Sequence, residues 1–115
     1  MKKVGITIMV FALVFGMTLP SFSADSAVPL IIDVRTEAEW NNGHLEGAVL
    51  IPYDQIGGKI GTVAKDTNKR IYLYCRTGRR TKIAQEALEK LGYKNIVNLQ
   101  TLENAAKTLK RKIVK

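Results

Sequence analysis

A chain of 115 residues holds one small domain, since compact domains typically run to about 100–150 residues. A hydrophobic fraction of 46% with 24% charged residues supports a packed core and excludes disordered, collagen-like and disulfide-scaffold classes. The formal net charge of +8 admits a nucleic acid, an anionic membrane surface or a small anionic substrate. One cysteine and one histidine exclude a conventional structural zinc site, an internal disulfide and a Cys-x-x-Cys pair.

Lys2 and Lys3 precede an uncharged, mostly apolar run from Val4 to Leu19 that Pro20 closes, with Ser21 and Ser23 following two apart. This three-part layout predicts a secretory signal peptide over residues 1–23, cleaved after Ser23, with Ser26 the second choice. The run is shorter than the roughly 20 residues that a membrane-spanning helix needs, and the mature protein is not expected to stay inserted. No cysteine follows the run to carry a lipid anchor. Loss of Lys2 and Lys3 leaves sixteen cations against ten anions, so the mature chain stays basic. Export to the periplasm places the lone thiol where cysteines tend to be paired, and an unpaired one needs a reason.

Residues 24–29 read as a short linker, and residues 30–115 as the domain. Leu30–Val34 is a short β-branched run suited to a strand buried on both faces. Thr36 with Glu39 predicts a capping box that opens a brief helix through Asn42, ended by Gly43. Ala48–Ile51 is a second strand stopped by Pro52. Gly57, Gly58 and Gly61 predict an irregular helical turn followed by loop over residues 53–69. Ile71–Tyr74 is a third strand. Thr81–Leu91 is a helix with Ile83, Ala84, Ala87, Leu88 and Leu91 along one face, stopped by Gly92. Asn95–Leu99 is a fourth strand, and residues 102–112 a last helix carrying Leu102, Ala105, Ala106 and Leu109. Strands alternating with helices imply an α/β fold, a mainly parallel central sheet flanked by helices on both faces.

Cys75 stands between the third strand and the next helix, in YLYC-RTGRR-TKIAQ. Ligands of open α/β sheets bind beyond the carboxyl ends of strands, and a helix N-terminus offers unpaired N–H groups and a partial positive charge. Arg76, Arg79, Arg80 and Lys82 all fall within seven residues of the thiol. Such surroundings lower a cysteine pKa from about 8.5 to roughly 3.5–7.5 and supply a nucleophilic thiolate. Cys75 is therefore the candidate catalytic residue.

Two motifs, IIDVRTEAEWNNGHLEGAVLIP (Ile31–Pro52) and CRTGRRT (Cys75–Thr81), resemble the signature and active loop of the rhodanese-homology domains. Within that family the chain is most similar to the small exported single-domain thiosulfate sulfurtransferases of the phage-shock protein E type. With LEKLGYKNIVNL (Leu88–Leu99) the resemblance spans nearly all of residues 30–109. It implies that Cys75 takes the sulfane sulfur of thiosulfate or a similar small anionic donor, holds it as a persulfide, and passes it to a thiol or to cyanide. The loop Arg76, Thr77, Gly78, Arg79, Arg80 and Thr81 would bind the donor, with Thr81 also able to cap the helix. Asp33, Arg35, Glu39 and His44 would hold the surrounding loops by ion pairs and hydrogen bonds. No cofactor or metal is implied. Gln100-Thr101 replaces the family's common Gly-Gly pair, which bears on pocket shape.

Alternatives remain at this point. A cysteine phosphatase or arsenate reductase resembles Cys, five residues, then Arg, but the sixth position after Cys75 is Thr81. A Cys75–His44 hydrolase lacks a convincing third residue. A non-catalytic rhodanese-like binding module would often lack the cysteine. Nucleic acid is not an expected partner, because no aromatic residues interleave with the cations. Trp40, Tyr72 and Tyr74 read as core or pocket wall, and Lys107–Lys115 as a solvated helix end, with attraction to anionic lipid the weaker option.

Overall fold

The computed structural model describes residues 28–115; the expected signal peptide over residues 1–23 and most of the 24–29 linker lie outside them. Four parallel strands form the central sheet in the order β3-β1-β4-β5. These are β1 (Leu30–Asp33), β3 (Val49–Leu50), β4 (Ile71–Cys75) and β5 (Ile96–Thr101). The helices are α1 (Glu37–Asn41), α2 (Ile56–Val63), α3 (Arg79–Lys90) and α4 (Leu102–Leu109).

Alternation along the strands sends side chains to two cores. Ile32, Val34 and Leu73 join Ile56 and Ile60 of α2 and Ala84 and Leu88 of α3 on one face. Ile31, Tyr74 and Leu99 join Leu102 and Ala105 of α4 on the other. Helices thus cover both faces, as the alternating pattern predicted, and the loops after β1 and β4 open at the same sheet edge because the two strands are parallel neighbours in register from Leu30↔Ile71 to Asp33↔Tyr74.

Four local expectations are corrected. Residues 56–63 form a regular helix in spite of three glycines. Each glycine costs about 1 kcal/mol against alanine, whereas full burial of an Ile contributes roughly 1.5–3 kcal/mol, and Ile56 and Ile60 are both buried. The last helix ends at Leu109 rather than at residue 112, because Lys110 turns into the left-handed region at φ 55°. Residues beyond it return as β6 (Ile113–Val114), which pairs antiparallel with β2 (His44–Leu45), so the basic C-terminal run is only partly a helix end. On α3, Ala84 and Leu88 are buried while Ile83 stays exposed, as does Leu91 at its C-cap, which narrows the apolar face.

Candidate active site

β4 delivers Cys75 on its last residue, one position further than the sequence suggested. Pairing of β4 with β5 shifts register between Leu73 and Cys75, and such irregularities re-aim side chains beside functional sites. The chain then curls through Arg76 and Thr77, and Gly78 takes φ 99° at the N-cap of α3. This left-handed conformation suits glycine, with no Cβ to strain. The helix starts at Arg79, two residues before Thr81, so Thr81 does not cap it. Thr81 instead lies fully buried in the first turn, where its hydroxyl donates to the Gly78 carbonyl at 2.8 Å.

The curl turns backbone donors onto the sulfur. Gly78 N–H donates to Cys75 Sγ at 3.0 Å, and Thr81 Oγ1 stands 3.9 Å from it. Burial alone would raise the Cys75 pKa, but hydrogen bonds from the backbone of Gly78, Thr81 and Thr77, and from the Thr81 hydroxyl, outweigh it and bring the thiol below its ordinary value. The thiolate is prepared chiefly by the loop backbone, more than by the arginine side chains that the sequence made conspicuous.

Glu39 organises the loop cations. Its own backbone position comes from the predicted capping box, in which Thr36 Oγ1 accepts from Glu39 N–H and Glu39 Oε1 accepts from Thr36 N–H. From there its carboxylate accepts two hydrogen bonds from Arg80, at 2.8 and 2.9 Å. The Arg80 guanidinium holds this carboxyl down at about 2, against burial and helped by Thr36. Arg80, expected to meet the donor, is thus committed to positioning the loop. Arg79 is exposed and makes no ion pair among the described residues. Arg76 has a side chain 73% exposed and lies 3.7 Å from Glu39.

Asp33 and Arg35 form a buried pair with hydrogen bonds of 2.7 to 3.1 Å, and Arg35 also donates to the Gly43 carbonyl at 2.6 Å. His44 Nδ1 meets the Trp40 carbonyl at 3.0 Å, and the ring stacks flat on Trp40 with centroids 3.6 Å apart. An acceptor on Nδ1 requires the proton there. His44 does not border the cavity above Cys75. A Cys-His hydrolase finds no support in this arrangement, and neither does a phosphate cradle closed by an arginine, since Thr81 holds that place.

That cavity is open, about 350 Å³ in volume, and bordered by Cys75, Arg76, Glu39, Leu102, Glu103 and Ile113 among others. A family model for the rhodanese-like domain matches residues 21–101. The chain belongs to the rhodanese-like family. Thiosulfate sulfurtransferase PspE of Escherichia coli is 33% identical over 99 residues, covering 86% of this chain and 89% of that protein. A sulfurtransferase of Allochromatium vinosum is 32% identical over 67% of this chain and 70% of its own length. Among solved structures, a rhodanese with anions from E. coli superimposes with a TM-score of 0.70 at 31% identity, over 76% of this chain and 99% of that one.

In this rhodanese-like domain the Gln100-Thr101 departure keeps the turn. Gln100 takes φ 68° itself, with its N–H donated to Asn98 Oδ1 at 2.9 Å. Its side-chain stem packs where a Cβ on Gly78 would stand 3.5 Å away. Thr101 caps α4 by accepting from Asn104 N–H at 3.0 Å. Tyr74 is fully buried core, as predicted, and its hydroxyl accepts the Leu45 N–H at 2.9 Å. Asn42, Gly43, Leu102, Glu103 and Ile113 are the cavity residues that sequence reasoning did not place at the site. Leu102 was visible only as an apolar helix position, and a two-residue strand such as β6 leaves no periodic signal.

Proposed function

We propose that this chain is an exported sulfurtransferase that moves a sulfane sulfur through a persulfide on Cys75. Family membership and relatives named as sulfurtransferases support sulfur transfer in general. The observation that carries the catalytic assignment is the Gly78 N–H held 3.0 Å from Sγ at the cavity floor. The same loop backbone would serve thiolate and persulfide alike, as preorganised donors do. A small anionic donor such as thiosulfate suits the basic loop. The Cys75 thiolate attacks the outer sulfur of thiosulfate, the S–S bond breaks, and sulfite leaves with its electron pair.

An acceptor thiolate or cyanide then takes that sulfur and returns the electron pair to Sγ. Cys75 has no exposed surface, so attack requires the exposed Arg76–Thr77 segment beside it to move aside. Residues 1–23 as a cleaved signal peptide, and a periplasmic destination, complete the reading on the Lys-apolar-Ser layout of the sequence. The test is the intact mass of the mature chain after mixing with thiosulfate. Gain of one sulfur on Cys75 supports transfer, and an unchanged mass with a free thiol sinks it. N-terminal sequencing of protein from a cell-envelope fraction tests export, which an intact Met1 would overturn.

A further inference from the structure

Two charged side chains border the cavity without a committed partner, and they carry opposite signs. Arg35 is taken up by Asp33 and the Gly43 carbonyl, and Glu39 by Arg80. Arg76 reaches Glu39 only at 3.7 Å, beyond hydrogen-bond distance, with most of its side chain in solvent. Glu103, in the first turn of α4, has no ion pair among the described residues. Leu102, at the start of α4, and Ile113, on the C-terminal strand β6, add apolar side chains to the same cavity lining.

We infer that Arg76 and Glu103 select the sulfur acceptor, and that the acceptor is a small aliphatic thiol bearing both a carboxylate and an ammonium group. The inference rests on the sulfur-transfer reading. Arg76 takes the carboxylate, Glu103 takes the ammonium, and Leu102 and Ile113 receive the methylene between them. The acceptor's thiolate attacks the outer sulfur of the Cys75 persulfide, the bond to Sγ breaks, and its electron pair remains on Sγ. Glu103 repels a dianionic donor, so its removal should not slow loading by thiosulfate, and a slowing confined to ammonium-bearing acceptors reports on acceptor choice.

The test loads the mature protein with thiosulfate, verifies the added sulfur by mass, and follows discharge to four thiols at equal thiolate concentration. Cysteine carries both charges, cysteamine the ammonium, 3-mercaptopropionate the carboxylate, and 2-mercaptoethanol neither. A solvent-screened ion pair is worth at most about fivefold, so Glu103→Gln should slow discharge to cysteine and cysteamine about three- to fivefold and leave mercaptoethanol unchanged. Arg76→Gln should slow cysteine and mercaptopropionate in the same way. As reacting thiolates cysteine and mercaptoethanol carry the same net charge, so a diffuse field would speed both alike in Glu103→Gln, speed mercaptopropionate more and leave cysteamine unaffected, and that pattern overturns the assignment. Equal slowing of mercaptoethanol also overturns it.

A second measurement needs no persulfide. S-methylcysteine, which cannot accept sulfur, should protect Cys75 from iodoacetamide, and Glu103→Gln should weaken that protection; absence of protection refutes the binding site. Failure to load sulfur, by contrast, counts against the sulfur-transfer reading.

Discussion

Removal of the Arg80 side chain separates loop positioning from donor binding, because its guanidinium meets Glu39. Glu39 ordinarily titrates at 4.5 and in the fold at about 2. Since the folded carboxylate binds its proton less tightly, it stabilises the fold above about pH 4.5, and the benefit drains away as pH falls toward 2. Converted in full, that displacement equals about 3 kcal/mol at neutral pH. The pair retains 20% and 18% side-chain exposure and Thr36 supplies part of the effect, so solvent screening leaves about 1–2 kcal/mol for Arg80.

Arg80→Ala should therefore lower stability at pH 7 by about 1–2 kcal/mol, a Tm loss on the order of 5–10 °C for a domain of this size. At pH 3 roughly two-fifths of the difference should remain, by the same linkage. Urea unfolding of both proteins at pH 7 and pH 3 measures this directly, with Arg79→Ala as a control expected within about 0.5 kcal/mol of the parent. Equal destabilisation at the two pH values would refute the ion-pair account and leave only lost packing.

Cys75→Ser should abolish sulfur transfer by more than about a thousandfold, equivalent to roughly 4 kcal/mol of barrier, with an unchanged circular-dichroism spectrum; substantial residual transfer would disprove the covalent route. Gly78→Ala should cost about 1–2 kcal/mol because φ 99° is strained for any L side chain, and should raise the alkylation pKa of Cys75 by loosening the Gly78 N–H; a parental pKa contradicts the backbone-donor account. Tyr74→Phe should cost about 1–3 kcal/mol in urea unfolding by leaving the Leu45 N–H without its acceptor. A neutral outcome there means that the β2 backbone finds another partner.

Strong periodicity and local capping chemistry made most of this molecule legible from residues alone. The Thr36–Glu39 box, the strands around Ile32 and Leu73, and the Cys75 loop all signal themselves within a few positions. What escaped was decided at long range. The helix through Gly57, Gly58 and Gly61 exists because Ile56 and Ile60 find a core, although their spacing with Ala64 was a usable hint. The β2–β6 ribbon joins segments about 70 residues apart through two residues each, and no local rule predicts such a pairing. Arg80 looked like a substrate arm because sequence shows its charge and not the carboxylate brought to it by another helix.

The flat stack of Trp40 on His44 gives this chain a built-in optical reporter. Trp40 is the sole tryptophan, next in sequence to the carboxylate that anchors Arg80, so the emission of the whole protein comes from one indole beside the loop's tether. Any ligand or substitution that shifts α1 changes that overlap, and the loop that carries Cys75 can be watched in real time without a label.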